Sequence, residues 1–118
     1  LGHTAGHAIE AVTRYRRFRH GEAIGYGMLA VADIAVRRGI LAASQRDMLA
    51  ALIAQLGPLP SVSDLSTKEV VAAMRRDKKV VNRRLHVVLP TSIGTTEIVD
   101  DVAEREFSRS LRTIGLRA

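Results

Sequence analysis

Residues Leu1 to Glu22 read LGHTAGHAIEAVTRYRRFRHGE and contain His3, His7 and His20, three of the chain's four histidines. His3 and His7 are four residues apart, so on a helix they project from one face, one turn above the other. Gly2 and Gly6 stand beside them without side chains, which lets a ligand or a second backbone come close. His20 follows a break in the apolar pattern and precedes Gly21-Glu22 directly. Two imidazoles from neighbouring elements plus one carboxylate from elsewhere make a three-ligand catalytic zinc site with an open position. Spacing alone also allows a set of solvated histidines on a helix surface. The zincin pattern HExxH does not apply, because Thr4 follows His3.

Outward from this stretch the pattern is mainly helical. His3 to Val12 carries Ala, Ile and Val at helical spacing and reads as a helix continued from upstream, so the chain looks like a cut through a larger protein. Thr13 to Arg19 is a basic interruption, expected as a loop. A second helix is predicted from about Glu22 to Arg38, with Ile24, Met28, Val31, Ala35 and Val36 inward and Gly39 as its stop. Ser44 reads as the N-cap of a third helix, with Met48, Leu49, Leu52, Ile53 and Leu56 facing the core and Gly57-Pro58 ending it. Ser66-Thr67-Lys68-Glu69 matches a capping box, so a fourth helix should run to about Arg76. The period then changes. Arg84 to Leu89 and Thr95 to Val99 are short β-branched runs across a Pro and Gly turn, read as two strands. Asp101 and Glu104 mark a last helix carrying Phe107, Leu111 and Ile114 inward. The expected architecture is one mainly α domain over residues 1–118 with a small two-stranded β element.

Composition narrows the function. With 118 residues and 47% apolar content the chain can bury a real core. It has no apolar run long enough to span a membrane and no signal peptide, so a membrane role is not expected. The absence of cysteine excludes disulfides and thiolate ligands and fits a cytoplasmic protein. A net charge of +6 favours anionic partners. Two clusters carry much of it. Arg14, Arg16, Arg17 and Arg19 surround Tyr15 and Phe18, and Arg75-Arg76-Asp77-Lys78-Lys79 leads on to Arg83-Arg84. Either run can grip phosphate or carboxylate; equally, the first can be a solvated loop or meet an acidic partner domain, and the second can complement a helix C-terminus. A basic helical nucleic-acid module is the reading of a different class, weakened by only 3% aromatic residues and no helix-turn-helix pattern. A purely structural partner domain with incidental histidines is the third.

Four motifs, in order along the chain, resemble the C-terminal domain of 3-dehydroquinate synthases. They are Gly2-His3-Thr4-Ala5-Gly6-His7-Ala8-Ile9-Glu10, then His20-Gly21-Glu22-Ala23 with Gly27-Met28, then Asp77-Lys78-Lys79-Val80, and finally Leu89-Pro90 with Ile93-Gly94. The resemblance covers essentially this whole chain and about the C-terminal third of such an enzyme. It implies a lyase of the shikimate pathway that converts 3-deoxy-D-arabino-heptulosonate 7-phosphate to 3-dehydroquinate with loss of phosphate. It implies His3 and His20 as metal ligands, His7 as a proton-transfer residue beside the substrate, and Lys78 and Lys79 as the pair that meets the substrate's anionic groups. The third metal ligand, a Glu, and the NAD site belong to an N-terminal domain that this chain lacks. The implied cofactors are NAD and one divalent metal, zinc with cobalt as the alternative, and the implied intact form is a homodimer. By itself the chain is expected to be inactive and to hold zinc weakly, since two protein ligands are too few. Another sugar phosphate cyclase, or a metal-dependent polyol dehydrogenase, is the runner-up; the lysine pair and the GHTxGH wording argue against the dehydrogenase.

Overall fold

The computed structural model describes residues 3–13, 20–55, 61–77, 84–92 and 95–117. These form α1 (His3–Val12), α2 (His20–Arg37), α3 (Ala43–Gln55), α4 (Thr67–Asp77), β1 (Arg84–Ser92), β2 (Thr95–Ala103) and α5 (Glu104–Thr113). α2 is the axis of the molecule, packed by α1, α3, α5 and β1; α4 lies against α1 and α5. Its sequence explains the position. Ala23, Ala30, Ala32 and Ala35 are fully buried and, with Val31 and Ile34, leave a slim helix that neighbours can approach from several sides. The expected stripe of Ile24, Met28, Val31, Ala35 and Val36 is therefore too narrow, since Tyr26 and Ala32 are buried too. Ile9, Val31, Ile34, Val70, Met74, Leu89, Val102, Phe107 and Leu111 fill one continuous core.

Both long-range ends are closed by glycine. Gly39, at φ +75°, takes the left-handed position after α2, where its N–H donates to the Val36 carbonyl and the Ile40 N–H to the Ala35 carbonyl. Gly115, at φ +126°, repeats the arrangement after α5, with Leu116 N–H donating to the Leu111 carbonyl. Each is the six-to-one closure that satisfies the last free carbonyls of a helix. At the start of α4 the Ser66 hydroxyl accepts from the Glu69 N–H at 3.4 Å, as the capping box requires. The C-terminal tail fastens the same turn, because the Arg117 carbonyl accepts from both the Thr67 N–H and its hydroxyl.

Three expectations need correction. α2 starts at His20 rather than Glu22. α3 starts at Ala43, one residue before Ser44, and Met48 and Leu52 are 57% and 49% exposed while Ile53 alone of that helix is buried. α3 leans on the rim of the core, so its apolar stripe is only partly covered. The strands run further than expected, to Ser92 and to Ala103, pairing antiparallel with Val87 opposite Val99 and Leu89 opposite Glu97. Asp101 thus ends up in β2, and α5 begins at Glu104, where the Glu106 carboxylate accepts from the Ala103 N–H at 3.1 Å. The expected turn at Ile93-Gly94 and the loop over 14–19 lie outside the described residues.

One buried carboxylate ties three helices together. Asp33, 5% exposed in the middle of α2, accepts from the Ser110 hydroxyl of α5 at 2.6 Å and from Arg37 Nε at 2.8 Å, with Arg46 of α3 4.0 Å away. Ser110 is fully buried, so its hydroxyl depends on this acceptor. Replacing Asp33 by Ala should therefore cost about 1–3 kcal/mol, the penalty for a buried donor left without a partner. Urea unfolding followed by circular dichroism would read it as a lower midpoint at unchanged slope.

Candidate metal and substrate site

α1 and α2 each carry a motif histidine in the first turn that the structure describes, His3 in α1 and His20 in α2. The two helices touch close to these starts. A Cβ on Gly6 would stand 2.7 Å from Ile24 Cδ1 and 3.1 Å from both the Ala23 carbonyl oxygen and Ile24 Cα. A side chain there would displace Ile24 and press on the α2 backbone, so the backbone of α1 rests directly on that of α2. Gly6 follows His3 by three residues and Ala23 follows His20 by three, about 4.5 Å of helix in each case. Each histidine position is therefore one turn from the same crossing. The sequence explains this locally: Ala5, Gly6 and Ala8 in α1 meet Ala23 in α2, and only residues this small permit so close an approach.

The other motif residues fall around the crossing in different ways. His7 is half-buried, one turn beyond His3 on α1, and Glu10 is buried a turn further on. At Gly21 no atom of the described residues lies within 4 Å of the place a Cβ would occupy, so packing among them does not account for it. Leu89 and Pro90 are buried in β1, which packs against α2. Asp77 is the last residue of α4, whereas Lys78 and Lys79 lie outside the described residues. His3 and His20 are described as backbone positions. Among the described residues no group of three or more His, Asp or Glu side chains is arranged for a metal. Two helix-borne imidazole positions at one crossing fit part of a zinc or cobalt coordination sphere in donor chemistry, with the remaining ligands coming from elsewhere.

Tyr26 was not among the residues singled out from sequence. It is buried on α2 four residues after Glu22, and its hydroxyl is held above the usual 10.0, first by burial and second by the Glu22 carboxylate. The signal was available: an aromatic residue one turn after the Glu of the His-Gly-Glu motif shares its helical face.

Two outcomes follow from this geometry. Gly6→Ala gains about 1 kcal/mol of helix propensity, offset by overpacking of about 1–3 kcal/mol. Gly6→Val keeps the overpacking cost with less of the gain, so its thermal midpoint should fall clearly below that of Gly6→Ala, as calorimetry would show. For Tyr26, the unfolded chain ionises near pH 10 while the folded chain keeps the proton, so stability present below about pH 10 is lost as the pH rises toward the folded value. Tyr26→Phe should make that alkaline decline shallower in a series of thermal melts.

Comparison with known proteins gives this arrangement a lineage. The family model described as 3-dehydroquinate synthase C-terminal matches residues 1–80. A 3-dehydroquinate synthase of Solibacter usitatus is 35% identical over 113 residues, covering 96% of this chain and 32% of the relative. A 2-epi-valiolone synthase of Actinosynnema mirum is 38% identical over 115 residues, covering 94% of this chain and 30% of the relative. Among solved structures, a 2-epi-5-epi-valiolone synthase from Streptomyces hygroscopicus subsp. jinggangensis with NAD+ and Zn2+ bound superposes with a TM-score of 0.74 at 27% identity, over 96% of this chain and 31% of that one. A 2-deoxy-scyllo-inosose synthase complexed with carbaglucose-6-phosphate, NAD+ and Co2+ shares the fold, with a TM-score of 0.78 at 24% identity over 95% of this chain and 32% of that one. The chain thus spans about a third of the length of the curated relatives it matches. With two helices crossing at a glycine of the GHTxGH motif and a family model over two-thirds of its residues, this chain belongs to the family of 3-dehydroquinate synthase C-terminal domains.

Proposed function

We propose that this chain is the metal- and substrate-binding part of an enzyme that converts 3-deoxy-D-arabino-heptulosonate 7-phosphate to 3-dehydroquinate with loss of phosphate. The observation that supports the reading is the placement of His3 on α1 and His20 on α2, each one helical turn from the contact of the two helices at Gly6. In this reading His3 and His20 hold one divalent metal, zinc or cobalt, together with a carboxylate from another domain. The metal, when bound, supplies Lewis acidity at a hydroxyl and carbonyl of the substrate. NAD, held by that other domain, carries the redox chemistry.

This chain's own residues then bind, orient and move protons. His7, on the face of α1 one turn from His3, accepts and returns a proton at the substrate, a role for which imidazole is suited near neutral pH. Lys78 and Lys79 follow the end of α4 in sequence and offer ammonium groups to carboxylate and phosphate. Next to His20, Gly21 has no atom of the described residues within 4 Å of its Cβ position, which leaves room among them for a ligand. The same reading makes the intact enzyme a cytoplasmic homodimer of the shikimate pathway. A second reading has specific support: the 38% identity to a 2-epi-valiolone synthase favours, as the runner-up, another sugar phosphate cyclase.

The test is made on the protein joined to its NAD-binding domain. His3→Ala and His20→Ala should each drop zinc well below one equivalent after dialysis, whereas His7→Ala should retain zinc and lose about 10²–10⁴ in turnover. Zinc content unchanged in both ligand variants would sink the proposal. Phosphate release from the heptulosonate phosphate, compared with release from heptose phosphates, decides between the two cyclase readings.

A further inference from the structure

At the opposite end of α2 from His20, roughly 25 Å along the helix, Ile34, Arg37, Arg38, Arg105, Glu106 and Arg109 line a cavity of 360 Å³ between α2 and α5. Four of the six are arginines. Two are matched by carboxylates: Arg38 donates through Nε and Nη2 to the two oxygens of Glu106 at 2.8 Å each, and Arg37 donates to Asp33 at 2.8 Å and to the Thr113 hydroxyl at 3.0 Å. The other two, Arg105 and Arg109, have no acidic partner among the described residues. They lie four apart on one face of α5, an arrangement of like charges that destabilises a helix unless an anion sits between them.

We propose that this cavity binds a small phosphorylated anion, with Arg105 and Arg109 as its principal ligands. The matched pairs favour this. Glu106 has both oxygens engaged by Arg38, and the Asp33 carboxylate is turned inward to Ser110 and Arg37, so the cavity presents mainly guanidinium N–H groups. Planar guanidinium forks match phosphate oxygens two at a time, which an ammonium cannot do. The volume sits at the small end of ligand cavities, suited to a phosphate or a sugar phosphate rather than a dinucleotide. Ile34, buried at the floor, offers apolar contact to the carbon part of such a ligand.

The experiment is a heteronuclear NMR titration of the protein with inorganic phosphate and, separately, with glucose 6-phosphate, ionic strength being held constant with KCl. The expected result is saturable shifts at Arg105, Arg109 and their α2 neighbours, with one equivalent bound. The double variant Arg105→Gln/Arg109→Gln should weaken binding at least about tenfold, and its thermal midpoint without ligand should be slightly above the parent value, since the like-charge pair is gone. Tighter binding of glucose 6-phosphate identifies a sugar phosphate as the ligand, and equal binding identifies the phosphate group alone; both support the site. Shifts that merely follow KCl, or binding that survives the double variant and disappears in Lys78→Gln/Lys79→Gln, overturn it.

Discussion

The close contact of α1 with α2 at Gly6 is the constraint on which the rest of the molecule depends. Helix axes normally stand 8–10 Å apart because side chains intervene. Here the α2 backbone, at Ala23 and Ile24, stands 3.1 Å from where α1 would place a Cβ on Gly6, so only a residue without a side chain sits there unstrained. That approach fixes how α1 covers the first half of α2, and through α1 it fixes α4, which packs on α1's other side. It also determines the function proposed for the site. His3 and His20 each stand one helical turn from that crossing, so in the proposed site both positions are held by regular helices, whereas histidines on loops would have to be ordered at entropic cost.

The far half of α2 is held by different physics. Where Gly6 and Ala23 use small size, Asp33 uses charge and a short hydrogen bond to Ser110. A buried carboxylate is costly unless its oxygens are all engaged, and here they are shared among Ser110, Arg37 and Arg46. The arrangement gives α5 a specific angle against α2 that Phe107 and Leu111 alone, as non-directional apolar contacts, would not. It also explains why arginines gather there. Arg37 and Arg38 first answer Asp33 and Glu106, and Arg105 and Arg109 on α5 are then brought to the same cavity by the packing of the helices.

Sequence reasoning read much of this fold because its punctuation is local. Gly39, Ser66 and Glu69 each act within a few residues of themselves, and they close or open helices where expected. Period reading failed where burial depends on distant chain. Met48 and Leu52 carry the right spacing, yet nothing among the described residues covers them fully; Asp101 resembled a helix start, yet strand pairing with β1 claimed it. The site divides in the same way. His3, His7 and His20 stood out because the motif is contiguous in sequence. The partners of Asp33 did not, because Ser110 is 77 residues away and no spacing rule reaches that far. Tyr26 differs: its spacing to Glu22 was legible in the sequence, and only its burial, which a polar-apolar pattern does not reveal, needed the fold.

A motif can persist because a fold needs it or because chemistry needs it, and in this chain the two causes separate residue by residue. Packing accounts for Ala5, Gly6, Ala8, Ile9 and Ala23, all of which would clash or leave a void if changed. It accounts for Leu89, which is buried in the core. It gives no reason for Gly21, whose Cβ position has no atom of the described residues within 4 Å. Packing thus explains the small residues at the crossing, and Gly21, which it leaves over, stands next to one of the two histidines that the proposed metal site uses.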